Sequence, residues 1–143
     1  MTVDSTDIQR LKEAVATKPV GDLQSWAATE EGGIDELLRK IFDAIPTMFL
    51  PEKAAREKLS VLQYEITTPD GPRKYFIKVE NGTCESGEGS ANDPTASLTV
   101  DFPDFLRIIT GNLAGMQAYL SGKLKITGDT LFVNRFEGWF KRP

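Results

Sequence analysis

The side chains that most often carry out chemistry are scarce in this chain. The 143-residue sequence contains no histidine and one cysteine, Cys84. Without histidine it lacks the commonest general base, the commonest zinc ligand and every nucleophile that depends on a histidine. Cys84 cannot form an internal disulfide or a cysteine-rich metal site, and the neighbouring Glu85 disfavours its thiolate. We therefore expect Cys84 to be structural, and we expect no metal or other cofactor.

Two pairs of carboxylates have the close spacing of an acid and a base. They are Asp101 with Asp104, and Glu85 with Glu88. Nothing in the sequence places either pair across a common cleft, so helix capping and surface charge explain them better. A tyrosine or a carboxylate that acts alone stays open as an alternative, but we predict that the protein is not an enzyme.

Charge and hydropathy limit the partners of the chain. The formal net charge is −4, from 17 basic and 21 acidic residues, and no basic stripe is interleaved with aromatic residues, so we expect no nucleic-acid partner. Lys123 and Lys125 alternate with apolar residues, and they could attract an anionic headgroup or lie on a solvated strand face. No apolar run approaches the roughly 18–20 residues of a membrane-spanning helix, although transient membrane contact stays open.

The two ends of the chain carry no targeting signal that we recognise. Residues 1–10 lack the positively charged flank and the apolar core of a signal peptide. The last residues, Lys141-Arg142-Pro143, differ from the Ser-Lys-Leu address of peroxisomal proteins. From these ends we expect a cytoplasmic protein of bacterial origin.

The elements that must position these residues are predicted from apolar periodicity. Residues 1–33 carry a thin apolar stripe and are interpreted as a lead segment with one short helix before Pro19. Residues 34–143 are interpreted as the main domain, which begins with an amphipathic helix that ends before Pro46. The apolar face of that helix consists of Ile34, Leu37, Leu38, Ile41, Phe42 and Ile45.

Alternating apolar residues predict five strands, at 61–66, 75–79, 83–88, 96–100 and 123–127. Asn81-Gly82, between the second and third, is a strong signal for a tight hairpin. Two apolar helices that end at Gly111 and Gly122 precede the fifth strand, and a strongly apolar helix is predicted at 131–140. Five apolar segments are more than a single covered sheet face needs, so either residues 1–33 cover the far face or a cavity exists.

Four stretches, in the order 75–82, 96–100, 104–111 and 122–129, together resemble one known family. The last of them, Gly122-Lys123-Leu124-Lys125-Ile126-Thr127-Gly128-Asp129, is similar to the signature of the sterol carrier protein 2 family, small domains that are also called non-specific lipid-transfer proteins. The other three resemble the second strand with its hairpin turn, the fourth strand, and the helix before the signature. The similarity covers roughly residues 34 to 140.

This resemblance implies an α+β fold. Its five-stranded, mostly antiparallel sheet has the order 3-2-1-4-5, and helices packed over one face enclose an apolar tunnel. It implies non-covalent binding, and transfer inside the cell, of an apolar lipid such as a fatty acid, a fatty acyl-CoA or a sterol-like molecule. The predicted lining consists of Ile41, Phe42, Ile45, Ile77, Val100, Phe105, Ile109, Leu113, Met116, Leu120, Phe132 and Phe136.

One departure from the family pattern bears on the ligand. Well-known relatives have a glutamine where this chain has Met116, so a polar group is replaced by a flexible thioether. That favours a wholly apolar ligand. Two other interpretations stay open: an accessory or dimerisation module for a partner enzyme, forming a homodimer with little or no lipid transfer, and a form of the fold that has lost its ligand.

Overall fold

A computed structural model of the chain describes residues 5–30 and 32–141. The helices are α1 (Ser5–Thr17), α2 (Leu23–Thr29), α3 (Gly33–Ala44), α4 (Phe102–Ile109), α5 (Gly115–Leu120) and α6 (Thr130–Glu137). The strands are β1 (Leu59–Thr68), β2 (Gly71–Glu80), β3 (Thr83–Glu88), β4 (Ala96–Asp101) and β5 (Leu124–Gly128). Single 3-10 turns lie at Val20–Asp22, Ile45–Met48 and Pro51–Lys53.

The five strands form one sheet of order β3-β2-β1-β4-β5. β1 runs parallel to β4, and the other three neighbouring pairs are antiparallel. A parallel pair needs a long connection, which strands β2 and β3 and the loop that follows them supply. The α+β fold, the strand order and the mostly antiparallel pairing that the resemblance implied are therefore confirmed.

The turn between β2 and β3 is the predicted two-residue hairpin. Asn81 has φ 49° and Gly82 has φ 79°, the left-handed conformation that a type I′ turn requires at both positions. Asparagine tolerates this conformation better than other residues with a Cβ atom, and glycine adopts it without strain. The dipeptide therefore fixes the register of β2 against β3.

The side of the sheet that faces the helices is apolar across its width. Tyr64 of β1 lies beside Tyr75 of β2 and Leu98 of β4, and one step along β1 on the same side Leu62 lies beside Ile77. Because side chains alternate along a strand, these residues all project to the same side. They form the sheet's part of one hydrophobic cluster that extends into the helices.

The opposite side of the sheet is crossed by the loop that follows β3, and a buried glutamine holds that loop in place. The Gln63 side-chain nitrogen donates to the carbonyl oxygens of Tyr75, at 2.9 Å, and Gly89, at 3.0 Å. Its side-chain oxygen accepts from the backbone N–H of Ala91 at 2.7 Å. The amide thus satisfies backbone groups on both the sheet and the loop.

The lead segment holds two helices, where the sequence predicted one. Leu11 and Val15 of α1, and Leu23 and Ala27 of α2, are buried in the same hydrophobic cluster as the sheet. α1 contacts α4, and α2 contacts both α3 and α4, so the segment packs on the helical layer and not on the far face of the sheet. The boundary at residue 33 stays a prediction.

The last predicted helix, 131–140, is shorter in the structure. α6 begins after Asp129, whose carboxylate accepts from the backbone N–H of Phe132 at 3.0 Å, and it ends at Glu137. The chain then runs antiparallel to residues 48–50: the Leu50 N–H donates to the Trp139 carbonyl, and the Lys141 N–H donates to the Met48 carbonyl, both at 2.7 Å. We call this pairing of residues 48–50 with 139–141 the C-terminal bridge.

Candidate functional site

A cavity of about 130 Å³ lies between the apolar side of the sheet and the helices that follow β4. The sheet contributes Leu62, Tyr64, Ile77, Leu98, Val100 and Leu124. The helices and connections contribute Ile45, Met48, Phe105, Ile108, Ile109, Leu113, Val133 and Phe136. The lining is thus an apolar surface that could take up a hydrocarbon group.

The cavity reaches solvent at one end. Four residues that contribute to its lining are exposed: Gly111 and Ala114, in the α4–α5 loop, and Glu137 and Lys141, near the C-terminus. Phe140 of the C-terminal bridge lies at the same end of the chain and also lines the cavity. The mouth therefore lies between the α4–α5 loop and the residues that follow α6.

Seven of the twelve residues in the predicted lining contribute to this cavity. They are Ile45, Ile77, Val100, Phe105, Ile109, Leu113 and Phe136. They come from α3's end, β2, β4, α4, the α4–α5 loop and α6, so the fold brings together residues from the whole predicted main domain. Contact between these residues and a ligand stays a prediction.

Three other predicted residues are buried but do not belong to the lining. Phe42 stacks on Tyr75, with ring centroids 4.4 Å apart and the planes 2° from parallel, and Ile41 is 3% exposed beside it on α3. Phe132 packs edge-on against Phe136 and Trp139. The two rings thus lie behind the lining, since Phe42 also contacts Tyr64 and Phe132 contacts Phe136.

The structure does not place Met116 and Leu120 on the cavity either. Met116 is half-buried and Leu120 is 78% exposed, because α5 buries the small residues Gly115 and Ala118 instead. The apolar spacing of α5 predicted the opposite face. Met116 therefore carries no weight in an argument about the polarity of the ligand.

The small residues of α5 that are buried include Gly115, where α5 and α6 approach each other closely. The Glu137 carboxylate lies against Gly115, so that a Cβ atom at position 115 would be 2.8 Å from the Glu137 Cδ and closer still to its Oε1. The carboxylate is the far end of an exposed, flexible side chain, so a larger residue at position 115 would require it to move aside. Single-sequence periodicity cannot detect this, because the contact joins residues from separate elements.

Three polar side chains line the cavity and were not predicted: Tyr64, Glu137 and Lys141. Burial raises the pKa of the Tyr64 phenol, and the nearby Glu137 carboxylate and Cys84 raise it further. Tyr64 could have been identified from its position, because it alternates with Leu62 and Ile66 on the predicted first strand. The sequence gives no such signal for Glu137 and Lys141, since it indicates only that both are charged residues at the surface.

The size of the cavity limits what it holds in this conformation. Pockets for drug-sized ligands usually have volumes of about 300–1,000 Å³, whereas an engineered apolar cavity of about 150 Å³ in another protein binds benzene. At about 130 Å³ the cavity accommodates a group of benzene size. The tunnel implied by the resemblance stays a prediction, because an extended acyl chain would need a larger space.

The described residues contain no cluster of three or more histidine, cysteine, aspartate or glutamate side chains able to hold a metal ion. Within the same part of the chain, no helix has the length and hydropathy needed to cross a membrane.

Comparison with known sequences identifies a family. The sequence model of the SCP-2 sterol transfer family matches residues 45–141, which include every strand and the cavity lining. Hydroxysteroid dehydrogenase-like protein 2 of Mus musculus is 30% identical over 108 residues, which make up 74% of this chain and 21% of that protein. The chain thus spans about a fifth of the length of this curated relative.

Solved structures show the same fold. The sec-alkylsulfatase Pisa1 from Pseudomonas sp. superposes with a TM-score of 0.61 at 18% identity, over 73% of this chain and 16% of that chain. The palmitated SCP2L2 of Aedes aegypti superposes with a TM-score of 0.51 at 21% identity, over 99% of this chain and 97% of that chain.

Proposed function

Because the chain belongs to the SCP-2 sterol transfer family, we propose that it binds an apolar lipid without covalent bonds, in the cavity between the sheet and helices α4 to α6. The observation that carries the proposal is the apolar lining of that cavity together with its mouth at Ala114 and Lys141. Removal of apolar surface from water supplies the affinity. The palmitated SCP2L2 of Aedes aegypti, which has the same fold, supports a lipid of this kind.

The expected affinity suits a protein that both binds and releases its ligand. Burial of some 15 methylene groups at ~0.8 kcal/mol each gives ~12 kcal/mol, and association costs at least ~4 kcal/mol, which leaves roughly micromolar binding. We infer that transfer between membranes is compatible with such an affinity. A fatty acid, a fatty acyl-CoA and a sterol-like molecule are the candidate ligands.

The space for a longer ligand must come from movement of one wall. The sheet is a continuous hydrogen-bonded ladder, so its side of the cavity is fixed. The C-terminal bridge is held by only two backbone hydrogen bonds among the described residues, and Met48 and Phe140, which belong to it, line the cavity. We infer that this bridge opens when an extended chain enters.

A cavity-filling substitution tests the proposal. Val133→Phe adds a ring to a residue that lines the cavity, and it should weaken the binding of palmitic acid at least about tenfold while the fold survives. Met116→Phe is the matched control, since Met116 lies in the neighbouring α5 outside the lining. Titration calorimetry measures both affinities, and native mass spectrometry shows whether lipid is carried through purification. Equal weakening by the two variants, or no binding of palmitic acid by the unmodified protein, would contradict the proposal.

We also infer that the chain is not catalytic by itself. Burial, with help from Glu85, raises the pKa of the Cys84 thiol to about 12, so the thiolate that a cysteine nucleophile needs is scarce at neutral pH. The phenol of Tyr64 is likewise held in its protonated form by burial and by Glu137, which raise its pKa. A steady turnover of an acyl thioester by the purified chain would refute this inference.

A second candidate function is an accessory module for an enzyme. It is favoured by one observation: in the mouse relative and in Pisa1 the similar segment is 21% and 16% of a much longer chain. A module of this kind would associate with itself or a partner without carrying lipid. Sedimentation equilibrium that shows a concentration-dependent dimer, with no lipid by mass spectrometry, would favour it over lipid binding.

A further inference from the structure

Two tyrosines on the apolar side of the sheet differ in the hydrogen bonding of their hydroxyl groups, and this difference bears on the ligand. Tyr64 of β1 and Tyr75 of β2 are directly paired across the two strands. The Tyr75 hydroxyl lies 3.1 Å from the Glu88 carboxylate and donates to it. Among the described residues, none forms a hydrogen bond with the Tyr64 hydroxyl. No completely buried side-chain oxygen or nitrogen in this part of the chain lacks a partner, so the Tyr64 hydroxyl is not completely buried. Since Tyr64 lines the cavity, its hydroxyl has access to that open space.

The Tyr64 ring is held in place by other rings. Phe42 contacts it edge-on, with centroids 5.2 Å apart at 74°, and Phe105 does so at 5.9 Å and 76°. Such edge-to-face contacts favour one ring orientation. A rotation that would carry the hydroxyl to a partner elsewhere in the core would break both contacts, so the hydroxyl stays directed to the same place.

The charges near Tyr64 disfavour an anion at this point. Glu137 lines the same cavity and interacts electrostatically with the phenol. A negative charge beside Tyr64 would lose its hydration in an apolar surrounding. Lys141, which also lines the cavity, is exposed at the mouth, so an anionic headgroup has a better place there than in the interior.

From this geometry we propose that Tyr64 determines ligand specificity: its hydroxyl donates a hydrogen bond to an uncharged oxygen, a hydroxyl or a carbonyl, on the apolar ligand. This inference rests on the proposed lipid-binding function and makes neutral oxygenated lipids, such as alcohols and ketones, the preferred ligands. Palmitic acid binds without this hydrogen bond, with its carboxylate at the mouth near Lys141. An uncharged oxygen matches the site because it accepts from the phenol without bringing a charge into an apolar surrounding.

Three probes with one skeleton and a group close to benzene in size test the inference: butylbenzene, 4-butylphenol and 4-butylbenzoate. In titration calorimetry, Tyr64→Phe should weaken the binding of 4-butylphenol about three- to tenfold and leave that of butylbenzene within about twofold. Tyr75→Phe is the control, because it removes a hydroxyl that is already bound to Glu88 and lies outside the lining. The unmodified protein should bind 4-butylbenzoate more weakly than 4-butylphenol.

The outcomes separate the inference from the function on which it rests. If butylbenzene binds but Tyr64→Phe does not change the ratio of the 4-butylphenol and butylbenzene affinities, water satisfies the hydroxyl and the inference is wrong. If neither neutral probe binds the unmodified protein, the proposed function fails as well.

A measurement on the unmodified protein guards against a variant that does not fold. The carbonyl stretch of bound butyl phenyl ketone, recorded by infrared difference spectroscopy, should lie below its frequency in hexane because the oxygen accepts a hydrogen bond. A stretch at the hexane frequency would overturn the inference.

Discussion

The Glu137 carboxylate of α6 occupies the space in which a side chain at Gly115 of α5 would stand. A Cβ atom at position 115 would lie 2.8 Å from the Glu137 Cδ. The two residues therefore join α5 and α6, the helices before and after β5 in the chain, beside the mouth of the cavity.

Gly115→Ala should consequently be less favourable while Glu137 is present than after its removal. In the native background the exposed Glu137 side chain must move aside, and we expect the free energy of unfolding to change by less than about 0.5 kcal/mol, on the order of a surface substitution. In a Glu137→Ala background the same change should stabilise the protein by up to about 1 kcal/mol, because alanine favours a helix over glycine. Urea denaturation of the four proteins gives the coupling energy, and an equal effect of Gly115→Ala in both backgrounds would show that the contact has no influence on stability.

Much of the fold could be predicted because its signals are local. The strand at 83–88 and the hairpin at Asn81-Gly82 were located from alternation and from the needs of one turn, and the structure places both there. The order of the strands came from the family resemblance, since periodicity does not say which strands are neighbours. Strand pairing joins residues that are far apart in the sequence, so a single sequence indicates it only through resemblance to a known family.

The cavity could be predicted only in part, for a related reason. Strand and helix periods predict which side of an element is apolar, and Val100 and Phe105, which line the cavity, were identified in this way. The periods do not predict which apolar residue faces a void and which fills the core. Leu120 shows the limit, since six residues make too short a helix for apolar spacing to fix its orientation, and α5 buries Gly115 and Ala118 instead.

Removal of the Gln63 amide should loosen the loop that follows β3. Its side chain bonds the carbonyls of Tyr75 and Gly89 and the N–H of Ala91, so Gln63→Leu leaves three backbone groups without that partner. We expect a loss of about 2–4 kcal/mol, since an unsatisfied buried group costs about 1–3 kcal/mol and water replaces part of the bonding. Hydrogen exchange should show faster amide exchange at Ala91 than in the native protein. A stability unchanged within 0.5 kcal/mol, on the order of a typical surface substitution, would count against this role.

The protein should lose stability at alkaline pH, in part through Cys84. Its thiol has a pKa of about 12 in the fold, raised chiefly by burial, against about 8.5 in an unfolded chain. The fold therefore favours the protonated thiol: this contribution is fully present below about pH 8.5 and is lost as the pH rises toward 12. The pKa values of Tyr64 and Tyr75 are also raised, mainly by burial, so their contributions fall in the same direction above about pH 10.

Denaturation with urea at pH 8, 9 and 10 measures this effect. The free energy of unfolding should fall more steeply with pH for the native protein than for Cys84→Ala, which keeps both tyrosines. Iodoacetamide should modify the folded protein slowly at pH 8 and the urea-unfolded protein rapidly, because the thiolate is the reactive form. Parallel pH profiles for the two proteins would mean that the Cys84 thiol titrates alike in the folded and unfolded states.

The C-terminal bridge should respond to a long ligand, and Trp139 is placed to report it. Trp139 is 6% exposed, packs against Phe132 and Phe136 with ring centroids 5.9 and 5.7 Å away, and accepts a hydrogen bond from Leu50. A cavity of about 130 Å³ must widen for an acyl chain, and the single bridge is easier to open than the sheet. Any such opening changes the surroundings of the Trp139 indole.

In a Trp26→Phe background Trp139 is the one remaining tryptophan, and its emission should shift saturably as palmitic acid is added. Phe140→Ala should speed the release of the lipid several-fold in stopped-flow measurements, because the ring packs on Phe49 and Phe136 at the bridge, with centroids 5.5 and 4.9 Å away. Leu131→Ala, at a residue of α6 that is 73% exposed, is the control and should leave release unchanged. If Trp139 emission stays constant while calorimetry shows saturation, the bridge is a fixed part of the core. The cavity must then widen on its other side, where Ile108 and Ile109 of α4 form the wall.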